Sequence, residues 1–96
     1  MTLKKKLTYL FIGTLLIGCS SSIQLQEYNS AIKAYKEGKY QTAITYIDRA
    51  IEINKDEYEF YILRAKANYK IGNKIYAMDD INKSIELEDN FSAFHL

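Results

Sequence analysis

The sequence predicts an all-α protein, a short solenoid of two stacked helix–turn–helix units followed by the start of a third. Three observations predict it. The 96 residues contain no proline and four glycines, so little interrupts a helix. From Gln24 onward the chain matches itself at an offset of 34, with identical pairs Ala31/Ala65, Tyr35/Tyr69, Lys36/Lys70, Gly38/Gly72, Ala43/Ala77, Ile47/Ile81, Ile51/Ile85 and Glu52/Glu86. Within each copy, apolar residues return at spacings of three and four, which lines one face of a helix.

The first element precedes these units. Lys4, Lys5 and Lys6 are followed by an uncharged run from Leu7 to Gly18. That run is shorter than the roughly 20 apolar residues a membrane-crossing helix needs; a basic start, an apolar centre of about 7 to 15 residues and small residues after it describe a secretory signal peptide. Leu16, Ile17, Gly18 and Cys19 resemble the lipobox of bacterial lipoproteins. The resemblance implies that residues 1–18 are removed, that a diacylglycerol is attached to the Cys19 sulfur and that the new amino terminus is a further acylation site. Cys19 is the only cysteine, so no disulfide can form within one chain, and its expected role is that of an anchor. Each buried methylene contributes about 0.8 kcal/mol, so one acyl chain binds a membrane marginally and two or three bind it stably. The implied location is a bacterial cell envelope. In Gram-negative lipoproteins an Asp after the cysteine commonly retains the protein in the inner membrane; here Ser20 stands there, which favours the outer membrane where there is one. Residues 19–23 form a tether. At no more than about 3.5 Å per residue it holds the following helix within roughly 20 Å of the headgroups, so a membrane-associated partner is expected.

Charge narrows the function further. The chain has 13 Lys and Arg against 12 Asp and Glu; loss of Lys4, Lys5 and Lys6 with the leader leaves 10 against 12, a mildly acidic mature protein. Nucleic-acid binding requires a clear basic excess and is disfavoured.

Residues 24–57 and 58–91 are the two units. In the second helix of the first, Tyr40, Ala43, Ile44, Ile47, Ala50 and Ile51 form the apolar face; Ala77, Met78, Ile81 and Ile85 repeat it. Gly38 and Gly72 fall where each first helix must stop, a place that commonly needs a left-handed backbone. Asp56 with Glu59 fits a capping pair at the start of the second unit, and Asn90 offers the same cap one period later. The units resemble the tetratricopeptide repeat, a helical hairpin of 34 residues. Tyr61 matches its large aromatic position, Ala31 and Ala65 the small residue at a helix crossing, Ala43 and Ala77 the alanine of the second helix, and Ala50 and Ser84 the small residue near its end. Ser30 and Arg64 stand where the family prefers leucine, Asn68 where an aromatic is usual, and Lys55 and Asp89 replace the customary proline.

Residues 92–96 align with the opening of the second unit and are expected to begin a third first-helix. Repeat arrays bury each unit's apolar face against the next and need about three units or a polar cap. The terminal edge built from Met78, Ile81 and Ile85, covered only in part by Phe91 and Phe94, is therefore expected to meet a second copy or another protein.

Little in the chain suggests catalysis. His95 is the only histidine and lies near the chain end; adjacent Asp79 and Asp80 point about 100° apart on a helix and read as a solvated face. Asp56, Glu57 and Glu59 lack the glycine and ligand spacing of a calcium loop, and Gly38 and Gly72 are too isolated to cradle a phosphate. No enzyme activity, small-molecule substrate, metal or cofactor is expected beyond the covalent lipid. In tetratricopeptide proteins the inner face of the first helices lines a groove for a peptide or partner helix. Position by position the resemblance puts Leu25, Tyr28, Ile32, Tyr35 and Lys36 of one unit there, with Glu59, Ile62, Lys66, Tyr69 and Lys70 of the other. Tyrosine platforms flanked by lysines suit a peptide carrying an acidic group. The family's clamp for carboxy-terminal carboxylates has asparagine where Ile32 and Lys66 stand, so the resemblance does not extend to that ligand. The function expected is that of a membrane-anchored protein-interaction module; the alternatives are a self-assembling structural protein of the envelope and the remnant of a longer array.

Overall fold

The computed structural model describes residues 22–95, with side chains described from Ser22 to Asp89. The leader, Cys19 and the side chains of Phe91 and Phe94 lie outside the described residues. Four helices and no strand are present among those residues: α1 (22–36), α2 (Tyr40–Ile53), α3 (Tyr58–Lys70) and α4 (Lys74–His95). Each packs on its neighbour in sequence, as expected of a short helical-repeat solenoid. None of the described helices is long and apolar enough to cross a membrane.

Gly38 and Gly72 end α1 and α3 in the same way. Their φ angles are 78° and 89°, in the left-handed region that costs an L side chain. At the first, Gly38 N–H donates to the Tyr35 carbonyl and Lys39 N–H to the Ala34 carbonyl; at the second, Gly72 and Asn73 repeat both bonds to Tyr69 and Asn68. This paired return satisfies carbonyls that a helix end leaves without partners. A Cβ at either glycine would meet no atom within 4 Å, so the requirement comes from the backbone and not from crowding.

The core lies where the two units meet. Ala31 of α1, Ile47 and Ala50 of α2, and Phe60 and Leu63 of α3 form one buried cluster; Ala34, Ala43, Ile44 and Ala67 form a second beside it. Alanine at the crossings lets helix axes approach closely while isoleucine and phenylalanine fill the space between them. The small positions are buried in both copies: Ala31 and Ala65, Ala43 and Ala77, Ala50 and Ser84. The large ones are not. Ile47 is 0% exposed and its counterpart Ile81 is 47% exposed; Ile44 is 9% exposed and Met78 63%. The sequence motif is the same, but α3 covers α2 and nothing among the described residues covers α4.

Three boundaries differ from the sequence expectation. Helix α1 is already formed at residue 22, so Ser22 and Ile23 belong to it and not to the tether. Glu57, not Asp56, occupies the residue before α3, and it makes no side-chain capping bond. With the start shifted by one residue, Glu59 falls on the second helical position, where a capping box needs the third. Asp56 instead donates its backbone N–H to Asn54 Oδ1 at 3.0 Å, tightening the turn between the units. Finally, α4 runs unbroken through Asn90 to His95, so residues 92–95 continue it and do not open a new helix. Asp89 stands at the customary proline position and no glycine follows, so nothing local forces the backbone to turn.

Gly38→Ala and Gly72→Ala should each lower the unfolding free energy by about 1 kcal/mol, read from urea denaturation, with Asn at either position costing less.

Candidate functional site

Helices α1 and α3 lie side by side and run in the same direction, so their exposed flanks form two walls of one trough. Tyr28, Ile32, Tyr35 and Lys36 from α1 face Glu59, Ile62, Leu63 and Lys66 from α3 across a hollow of about 320 Å³. A second hollow continues from it, sharing Tyr35, Ile62 and Lys66 and adding Ala65, Tyr69, Lys70 and, from α4, Ala77 and Ile81. Nine of the ten residues picked out for a groove by the sequence thus line these two hollows, and Leu25 lies in an adjoining one with Tyr28 and Glu59. Leu63, Ala65, Ala77 and Ile81 complete the lining; the sequence assigned Ala65 and Ala77 to helix packing and Ile81 to the terminal edge, with no role for Leu63.

Aromatic contacts hold the tyrosines in place. The Tyr28 ring packs tilted on Phe60 at 5.0 Å between centroids, and Tyr35 meets Tyr40 edge-on at 5.3 Å. Burial raises the Tyr28 phenol above its ordinary pKa, and Glu59 and Glu57 push it further in the same direction. That end of the trough is therefore electronegative. The other end carries Lys36, Lys66 and Lys70, and among the described residues none of these ammonium groups forms an ion pair. Glu59 and Lys66 are seven residues apart, about 10 Å along the helix, so the sign of the charge changes within the trough.

A different, polar furrow lies between α2 and α4, with α3 as its floor. Arg64 organises it. Its Nε donates to Asp80 Oδ2 at 2.9 Å and its Nη2 to Asp80 Oδ1 at 2.8 Å, a two-pronged pair, while Nη1 donates to Asp48 Oδ1 at 2.8 Å. Asn68 adds a long contact of 3.5 Å to Asp80 Oδ2. The guanidinium also stands 5.5 Å from the centre of the Tyr61 ring, whose hydroxyl donates to the Lys55 carbonyl at 2.8 Å. Both aspartates hold the arginine in its charged form, raising its already high pKa. Asp80 is thus not the solvated residue the sequence suggested: its side chain is 8% exposed and fully engaged, while Asp79 remains at the surface. The sequence did contain a signal, an arginine at a leucine position with acids sixteen residues before and after it.

Among the described residues no group of three or more His, Cys, Asp or Glu side chains comes together in a way that could hold a metal ion. The arrangement offers surfaces for binding: a tyrosine-lined trough with basic and acidic ends, and an apolar strip along α4.

These features define a short α-helical repeat module, and its helix pairs fit tetratricopeptide-like repeats. The chain matches no family model. Over 58 residues, 60% of its length, it is 33% identical to heat shock protein STI1 of Saccharomyces cerevisiae (strain ATCC 204508 / S288c). The matched stretch spans only 10% of that much longer protein.

Replacing Arg64 with leucine, the residue the repeat family prefers, should destabilise the fold by about 3 kcal/mol, because the buried Asp80 carboxylate loses its partner. Arg64→Leu with Asp80→Leu should recover most of that loss, a non-additivity that a double-mutant denaturation cycle measures.

Proposed function

We propose that this chain is a lipid-anchored interaction module of a bacterial cell envelope, holding an extended peptide or partner helix that bears an acidic group in the trough between α1 and α3. The observation that carries the reading is the convergence of three tyrosine and isoleucine platforms with three lysines that form no ion pair among the described residues: Tyr35, Ile62, Lys66, Tyr69 and Lys70 line one hollow, with Lys36 in the hollow joined to it. Tyrosine supplies large contact area at small entropic cost, and the lysines supply attraction for a carboxylate without a competing partner among the described residues. Similarity to part of a heat shock protein supports a role in contacting other polypeptides. The reading includes no catalytic step, metal or cofactor.

The anchor rests on Leu16 to Cys19 following the basic and apolar leader. Its consequence is geometric. A module held close to the headgroups meets partners that are themselves at the membrane, with the outer membrane favoured in a Gram-negative cell.

Lys66→Glu with Lys70→Glu should weaken binding of an acidic, fluorescently labelled peptide at least tenfold while leaving the helical circular dichroism unchanged, since both side chains are exposed. Equal affinity in the double variant would discard the trough as the site. Mass spectrometry of the protein from bacterial membranes should find a chain beginning at acylated Cys19, and Cys19→Ser should release it from the membrane fraction. An unacylated chain starting at Met1 would remove the anchor and leave the trough to stand or fall by the peptide experiment.

A further inference from the structure

Helix α4 leaves a stripe of large apolar side chains in solvent: Ile75, Met78, Ile81 and Ile85 are between 47% and 78% exposed. At about 100° per residue Met78, Ile81 and Ile85 fall within about 60° of one another with Ile75 at the margin, on the flank beside the one that buries Ala77, Asp80 and Ser84. The stripe is bounded by charge of opposite sign. Lys74 precedes it in the first turn, and Glu88 and Asp89 follow it; all three are exposed and lie on the same flank.

We propose that this stripe is the seam of a two-fold symmetric dimer in which α4 of one copy packs antiparallel on α4 of a second copy, with the axis passing between Ile81 and Asn82. Lys74 and Asp89, and likewise Met78 and Ile85, stand at equal distances from that point, while Ile75 falls opposite Glu88 at the margin. In an antiparallel register centred there, Met78 meets Ile85 of the second copy, Ile81 meets its Asn82, and Lys74 meets its Asp89, each contact occurring twice. A parallel arrangement would set Lys74 against Lys74 and Asp89 against Asp89, which repels at both ends. The charges therefore select one direction, and Met78 with Ile85, together with Ile81 next to the axis, supplies the attraction. A contact about 22 Å long and one helix wide is smaller than the roughly 800 Å² per partner of tight complexes, so the pairing is concentration-dependent. Ile81 also forms part of the trough wall, so the seam borders the peptide site without depending on it.

The test is sedimentation equilibrium of the full chain in detergent at micromolar concentration. Monomer and dimer should be in equilibrium. Lys74→Glu or Asp89→Lys alone should weaken dimerisation about tenfold, because each change turns two attractions into two repulsions. The combined variant, Lys74→Glu with Asp89→Lys, should restore it. Neither change threatens α4: an acid near a helix start and a base toward its end both suit the helix dipole. A monomer at every concentration, or association that ignores the single reversals, would overturn the proposal; so would single reversals that the combination does not rescue, since the pairing would then not run Lys74 to Asp89.

Discussion

A helix with one apolar face is stable in water only when another helix covers that face, and in this molecule α3 does so for α2. Ile47, Ala50 and Ile44 are buried because Phe60, Leu63 and Ala67 lie on them. The same covering helix presents its other flank to α4 and its outer edge to the trough. One helix thus belongs to two units at once. Removing that shared position would expose the apolar side of both, which is why the array behaves as a stack and not as two independent hairpins.

The contacts across the stack are not all apolar. Arg64 occupies a position where a leucine would have filled space, and its planar fork engages Asp80 on α4 while a third N–H reaches Asp48 on α2. A leucine would pack with any register that hides it; a fork with two aspartates is satisfied in one geometry only. Burying Asp80 carries a desolvation cost that the pair offsets, so the gain is in how α2, α3 and α4 are aligned more than in net stability. That alignment bears on the trough, since Ala77 and Ile81 form its far wall and Asp80 lies next to Ile81 on the same helix.

The trough and the α4 stripe are two consequences of the same geometry. Parallel first helices leave a concave side where their flanks diverge, and a terminal second helix leaves a face with no successor. The concave side has an acidic end at Glu57 and Glu59 and a basic end at Lys36, Lys66 and Lys70, whereas the terminal face is apolar with single charges at its margins. One surface is suited to an extended ligand with a direction, the other to a helix.

The sequence by itself determined what is local or periodic. The period of 34 located the hairpins, the glycines marked turns because a left-handed backbone is a property of a single residue, and helical spacing put the trough residues on common flanks. What only the tertiary structure decided depends on neighbours in space. Ile47 and Ile81 are the same residue in the same motif, yet one is buried and the other is not, because burial belongs to the covering helix. Asp48, Arg64 and Asp80 are far apart along the chain and meet only once three helices have packed. The turn after α2 forms because α3 has α2 to return to; after Ser84 no such partner exists among the described residues, and with neither proline nor glycine to stop it α4 continues past Asn90.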